Sequence, residues 1–460
     1  MRTRQARTFF PADADAFRRQ ALHWAQSHAH CHAFTDNHLP YPHGGFPHLL
    51  AAGAAEICPI PPGDSFGSVG RFFEARRDWL VGHFTYDLKN ETEALTSRHP
   101  DRLGFPPAFF YVPQTMLRFG PGGGVTVESF ENPAAAYAQI TGTEVPTPAP
   151  GPSVSLLPRT PRETYLDHVE RIREHILDGD VYELNYCVEF FAENARIDPL
   201  AAYLALNDRS PMPFSVFGKT DDQYVLCASP ERFLKKTGGR LLSQPIKGTA
   251  RRGSTPAEDE RLRHALQRDE KERAENMMIV DLVRNDLARS ARTGTVRVEE
   301  MFGVYTFAQL HQMISTVSAD LRPGVTPTEA LRNAFPMGSM TGAPKIKAME
   351  LIDRYESARR GLYSGTVGFF TPEGDFDFNV VIRSILYNRA SGYLSCQVGS
   401  AITYDARGES EYEECLLKAR AMREVLEKGR RETGGKETGT TGDGRPEEGR
   451  PEEESGRKLK

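Results

Sequence analysis

From Thr160 onward, apolar residues recur at helical spacing. Tyr165, Val169, Ile172 and Ile176 share one face, and Gly179 ends the run. Thr160-Pro161-Arg162-Glu163 predicts a capping box with proline at the first helical position. VYELNYCVEFF, from Val181, predicts a strand. Further strands are predicted from Phe214 to Thr249, broken at Lys219–Gln223 and at Gly238-Gly239. Two charged helices follow across Ala257–Arg289, and Thr326-Pro327-Thr328-Glu329 marks a second capping box. Another helix begins near Ala343-Pro344, and three strand-like runs between Leu362 and Thr403 are split by PEGD and NRASG. The last helix covers about Glu409–Glu427.

Before Thr160 no period is sustained, and the first 150 residues read as irregular, rich in Gly, Pro and aromatic residues. Thr141–Pro158 reads as a linker because Pro and Gly dominate it. Beyond Lys428 the chain is rich in Gly, Glu, Arg and Thr, with GRPEE repeated at Gly444–Glu448 and Gly449–Glu453. Residues 429–460 cannot bury enough apolar surface to fold, which predicts a disordered tail. Strands and helices are mixed without regular alternation of the two, so the expected class is α+β and not a doubly wound parallel sheet. The expected organisation is a variable region over residues 1–150 packed on the same body as a catalytic region over 160–428.

Composition narrows the choice of partners. The 460 residues carry a formal net charge of −5 and no strongly basic segment, which disfavours nucleic acid. An anionic substrate would have to be met by local positive charge. No apolar run approaches the ~20 residues of a membrane span, and MRTRQARTFF lacks the apolar stretch of a secretory signal. Six scattered cysteines without Cys-x-x-Cys suit reduced thiols in the cytosol. HAHCHAF would place His28, His30 and His32 on one side of a strand, but nothing later in the run completes a metal-ligand set.

Several residues stand out for their chemistry. Glu272 and Glu275 lie three apart on one predicted helix, and Glu411 and Glu414 have the same spacing on another. Such pairs share a face and commonly face solvent. Glutamates on two separate helices could instead hold one Mg²⁺, with waters and a substrate carboxylate completing the octahedron. Lys247, in Pro245-Ile-Lys-Gly-Thr249, closes a strand. It is either an ion-pair partner or, if burial or nearby cations lower its pKa, a nucleophile. Glu231, in SPERF, is a surface carboxylate or, beside a departing hydroxyl, a general acid. Gly338–Lys345 (GSMTGAPK) lacks the Gly-Lys-Ser/Thr of a phosphate loop, so it is read as a glycine-rich helix entrance and not as a nucleotide site.

Taken together, PIKGTARRG, ERAENMMIVDLVRNDLAR, PMGSMTGAPKIKAMELID, YSGTVGFF, VIRSI and the VGSAITYD…ESEYEECLLKARAM block resemble the chorismate-binding enzymes, over about Thr160 to Lys428. GHFTYDLKNE, at Gly82–Glu91, is similar to the front half of the aminodeoxychorismate and anthranilate synthases in that family. The resemblance implies two packed antiparallel sheets with flanking helices and a chorismate site between sheets and helices. It implies Glu275 and Glu414 as Mg²⁺ ligands, supported by Glu272 and Glu411. Gly248, Thr249, Ala250, Tyr363, Arg383, Gly399, Ser400 and Ala401 fall at chorismate-binding positions. Lys418 could meet a carboxylate, His311 matches an active-site histidine, and Ser339 stands where threonine is common. Anthranilate synthases usually read PIAGT where this chain has PIKGT, as aminodeoxychorismate synthases do. In the latter, the lysine is expected to attack C2 of chorismate while Glu231 protonates the leaving C4 hydroxyl, and ammonia then enters at C4. Water-adding relatives carry a lysine where this chain has Glu183. Ammonia implies a partner, no glutaminase constellation is evident here, and the resemblance implies a separate glutamine amidotransferase subunit. The competing readings are an anthranilate synthase component and a catalytically silent chorismate- or glutaminase-binding protein.

Overall fold

The structure is a computed structural model that describes residues 3–147, 153–307 and 310–427. The predicted tail lies outside the described residues. The strands pair antiparallel and form two sheets that share the long strand Ala108–Phe119. Its C-terminal half joins Leu49–Ile57 and Val125–Ser129, and its N-terminal half pairs with Leu80–Phe84. The first sheet continues through His30–Thr35, Phe214–Thr220, Gln223–Ser229, Ser384–Asn388 and Tyr393–Ile402 to Glu183–Ala192. The second runs through Thr366–Phe370, Phe376–Asn379, Arg232–Thr237 and Arg240–Gln244 to Leu310–Asp320. This is the α+β body of two antiparallel sheets with flanking helices.

Alternation along the first sheet decides which core each side chain enters. Phe34, Val216 and Val225 face the second sheet, whereas Ala33, Phe217 and Leu226 face a layer of helices. That layer includes Ala14–Gln26, Arg162–Leu177 and Gly408–Glu427. The helix Glu270–Ala288 packs on the second sheet through Ile279, Val280, Val283 and Leu287. The two helices that carry the paired glutamates therefore belong to different layers.

Three expectations change. Residues 3–147 are regular, holding six strands that belong to the two sheets. Leu80–Phe84 is buried on both faces, and a strand buried on both faces shows no alternation to read. The box at Thr160 does not form: the Thr160 hydroxyl donates to Ser357 Oγ at 3.1 Å and Pro161 occupies the N-cap. The box at Thr326–Glu329 does form. Between Leu362 and Thr403 there are four strands, because the chain leaves the second sheet after Asn379 and enters the first at Ser384. Arg383 makes that step at φ +53°. No helix among the described residues is long and apolar enough to cross a membrane.

Candidate active site

The strand Ile246–Arg251 pairs with Leu310–Asp320, and its register shifts between Ile246 and Thr249. Lys247 and Gly248 occupy this bulge. Gly248 has φ +91°, and a Cβ there would stand 3.1 Å from Glu272 Oε2 and 3.2 Å from Met313 Cβ. Glycine thus lets the backbone approach a helix carboxylate closely. The Lys247 side chain is 10% exposed, and its Nζ donates to Glu183 Oε1 at 2.5 Å. Burial alone would lower this lysine's pKa, but Glu183, Glu275 and Glu414 outweigh it and hold the ammonium above the usual range. The lowered pKa expected for a nucleophile is therefore absent in this state: the surrounding charge is carboxylate.

Glu183 begins the strand Glu183–Ala192 and is 1% exposed. The backbone just beyond it is pinned by a buried ion pair. Glu356 accepts from the Cys187 amide at 2.9 Å, Arg360 donates to the Asn185 carbonyl at 2.9 Å, and the two side chains meet at 2.6 Å.

Glu231 lies where Ser229 ends its strand and Arg232 begins the next. Arg232 is fully buried and bonds both oxygens of Asp377 at 2.9 Å, which fixes the backbone beside the acid. Burial raises the Glu231 pKa to about 7, with Ser339, Lys247, the Ile246 amide and Lys418 pulling the other way. Ser339 Oγ faces this carboxyl but forms no hydrogen bond of normal geometry. Near neutral pH Glu231 can hold and release a proton, as a general acid must.

The four paired glutamates surround one ammonium. Lys271 Nζ lies 3.7 Å from Glu275 and 3.7 Å from Glu411, and Glu272 and Glu414 add to its field. Burial, with neighbouring carboxylates adding to it, raises the pKa of Glu272, Glu275 and Glu411, that of Glu275 to about 7. Glu414 behaves differently. Its side chain is 45% exposed, and Lys418, at 2.5 Å, outweighs partial burial and lowers its pKa. The hard oxygen donors and their excess negative charge suit Mg²⁺. No three of these carboxylates bring oxygens within 4.8 Å of one another. Among the described residues, only Asp36, His38 and His48 form a trio that close. Within HAHCHAF, His32 is buried and bonded to the Tyr111 hydroxyl at 3.2 Å.

Cationic groups also lie near Glu414. Lys418 donates to the Gly399 carbonyl at 2.8 Å. Arg383 makes no ion pair among the described residues; burial lowers its pKa, and Glu414 and Tyr363 act against that. Tyr363 is buried, with its hydroxyl 3.7 Å from Cys187 Sγ. Gly399, Ser400 and Ala401 lie on the strand beside Cys187, Tyr186 and Asn185, with Ser400 Oγ 2.9 Å from the Tyr165 hydroxyl. Thr249 and Ala250 pair with Gln312 and His311. His311 has both ring nitrogens engaged, by Thr306 at 2.8 Å and by Asp259 at 3.0 Å, so neither is open to a ligand in this state. Lys345 is tied to Asp286 at 2.7 Å, in keeping with a helix entrance and not a phosphate loop. Lys271 and the Lys247–Glu183 pair were not foreseen as partners. Helical spacing would have placed Lys271 with Glu275, four residues on. The contact with Glu183 spans 64 residues and leaves no local signal.

One site thus gathers a buried lysine, a protonatable glutamate, a carboxylate cluster and a guanidinium that makes no ion pair among the described residues. The chorismate binding enzyme family matches residues 49–424, and the chain belongs to that family. It is 43% identical over 270 residues to the chloroplastic aminodeoxychorismate synthase of Arabidopsis thaliana, a match covering 58% of this chain and 29% of that protein. It is 36% identical over 359 residues to anthranilate synthase component 1 of Thermus thermophilus, covering 76% of this chain and 77% of that one. Anthranilate synthase component I of Streptococcus pneumoniae superposes with a TM-score of 0.72 at 25% identity, covering 84% of this chain and 93% of that one. The chain spans less than a third of the length of the plant relative.

Proposed function

We propose that the chain aminates chorismate at C4 with ammonia, giving 4-amino-4-deoxychorismate on the route to para-aminobenzoate and folate. The observation that carries this reading is Lys247, an amine in the PIKGT motif, buried against Glu183 and within the field of Glu231. Lys247 attacks C2 of the ring diene, the double bonds shift, and the C4–O bond breaks as Glu231 delivers a proton to the departing hydroxyl. Ammonia then attacks C4, the double bonds return, and the lysine leaves C2. Arg383 and Lys418 pair with the substrate's carboxylates, Tyr363 and the Gly399–Ala401 strand wall the ring, and Thr249, Ala250 and Ser339 border it. His311, held by Asp259, keeps the strand at Ala250 in place. Glu275 and Glu414, with Glu272 and Glu411, would hold Mg²⁺, which supplies positive charge for a substrate carboxylate.

The ammonia comes from a separate glutamine amidotransferase subunit; "component 1" in the Thermus relative's name speaks for such a division. Six free cysteines, all buried, suit the cytoplasm. A second reading, anthranilate synthesis, has in its favour that the Thermus relative matched over 77% of its length is an anthranilate synthase. Purified chain incubated with chorismate, Mg²⁺ and ammonium separates the two by product mass. Aminodeoxychorismate is expected. Anthranilate alone would replace the first reading with the second, and absence of both products would leave a binding protein.

A further inference from the structure

We propose that Glu183 is the internal base of this site: it takes the proton from the Lys247 ammonium and thereby makes the nucleophilic amine. The proposal rests on the reading of Lys247 as nucleophile. Glu183 Oε1 is 2.5 Å from Lys247 Nζ, and this is the one side-chain hydrogen bond and the one ion pair that Lys247 makes among the described residues. Glu183 Oε2 is buried without a hydrogen-bond partner. The carboxylate therefore spends its capacity on the lysine alone. With Glu183 1% and Lys247 10% exposed, bulk water has little access to the proton between them.

The other charged groups around the amine are unsuited to the task. Glu275, Glu414, Glu272 and Glu231 all act on Lys247 or feel its charge, but none comes within ion-pair distance. Glu231 must itself carry a proton to the leaving hydroxyl. The lysine, held charged by its neighbours, cannot attack until a proton leaves, and among the described residues Glu183 alone stands within ion-pair reach to accept it. The buried Glu356–Arg360 pair that pins Asn185 and Cys187 keeps this carboxylate in place.

The proton balance closes over one turnover. Glu183 carboxylate takes a proton from Lys247, and the neutral amine forms the N–C2 bond, becoming a secondary ammonium. Glu231 gives its proton to the C4 hydroxyl, which leaves as water. Ammonia forms the N–C4 bond while the N–C2 bond breaks, releasing Lys247 as a neutral amine. Glu183 returns its proton to Lys247, and Glu231 recovers one from the new C4 ammonium. Chorismate and ammonia have become aminodeoxychorismate and water, with every protein group restored.

The test follows the Lys247 adduct by mass spectrometry in single turnovers without ammonia, at saturating chorismate and Mg²⁺. In the wild-type protein between about pH 5.5 and 6.5, Glu231 stays mostly protonated, since its pKa is about 7. Transfer inside an ion pair does not depend on bulk pH, so the adduct rate should be flat over this range. A wild-type rate rising about tenfold per pH unit means that solvent takes the proton, and overturns the proposal. Glu183→Gln keeps the side chain's shape but loses the acceptor. Its adduct rate should acquire that steep slope, about tenfold per pH unit, because the ammonium must then lose its proton to solvent. A wild-type adduct with an unchanged rate and slope in Glu183→Gln rejects Glu183 as base while sparing Lys247. No adduct in the wild type removes the nucleophile itself, a separate failure that takes the base with it.

Discussion

Lys271 Nζ stands 3.7 Å from Glu275, one turn ahead on its own helix, and 3.7 Å from Glu411 on the C-terminal helix. One tethered cation thus bridges the two helices that carry the proposed metal ligands. It relieves the crowding of carboxylates that a divalent ion would relieve more fully. A metal held by Glu275 and Glu414 would draw on the same carboxylate field as this ammonium, so the two would compete.

The competition has a measurable sign. Lys271→Met should tighten Mg²⁺ binding, by about two- to fivefold, because the lysine is half-exposed and its pairs are worth little. Calorimetric titration reads this without turnover. Arg273→Met removes a charge on the same helix whose guanidinium packs over Phe302 at 4.8 Å, and should change affinity less. Weaker binding in Lys271→Met would show the lysine to be a support of the site and not its competitor. Glu275→Ala should instead abolish the binding heat.

The proposed acid Glu231 sets one limb of the expected pH profile. Burial raises its pKa to about 7, and as the proposed general acid it would act in its protonated form. Activity with ammonium, compared at equal free ammonia, should therefore fall as pH rises through about 7. Glu231→Gln should lower kcat by about 100-fold and flatten that limb. A limb that persists in Glu231→Gln belongs to another group.

What the sequence made legible was the set of residue types and their local spacing. Both glutamate pairs, the lysine at the strand end and the acid at the SPERF turn could be named because each sits on a recognisable element. Two things were not legible. The charge state of Lys247 depends on Glu183, 64 residues away, and on helices from different layers, and only folding brings these together. The regularity of the first 150 residues was hidden because strands buried on both faces, such as Leu80–Phe84, lack the alternation that marks a half-exposed strand. Thr160 has the sequence of a capping box but is buried against Ser357, so tertiary contact overrode the local motif.

Arg360 offers a stability prediction tied to the site. Its side chain is 1% exposed and that of its partner Glu356 is 4% exposed, so Arg360→Met strands a buried carboxylate. Loss of one partner from such a pair costs about 3–5 kcal/mol. Urea denaturation should show this loss. The adduct rate should also drop, because the Asn185 carbonyl and Cys187 amide beside Glu183 lose their anchor. A variant as stable as the wild type would mean that Glu356 finds water.

The bulge at Gly248 is the last point on which the site can be tested, and the backbone is responsible for it. At φ +91° an L-residue is strained, at a cost of about 1–3 kcal/mol. A methyl group there would also press on Met313 Cβ at 3.2 Å and Leu266 Cδ1 at 3.3 Å, and on Glu272 Oε2 at 3.1 Å. Glu272 can swing aside, but Met313 Cβ is fixed to its strand, so the bulge must relax. Relaxation carries the neighbouring Lys247 away from the 2.5 Å contact with Glu183. Gly248→Ala should therefore lose stability and slow adduct formation by more than about tenfold. Gly238 is the control: its φ is +56°, and nothing lies within 4 Å of a Cβ there. Gly238→Ala should show the strain cost without the kinetic one. Equal adduct rates in the two variants would mean that the position of Lys247 does not depend on the glycine bulge, and that the close approach to Glu272 is incidental to catalysis.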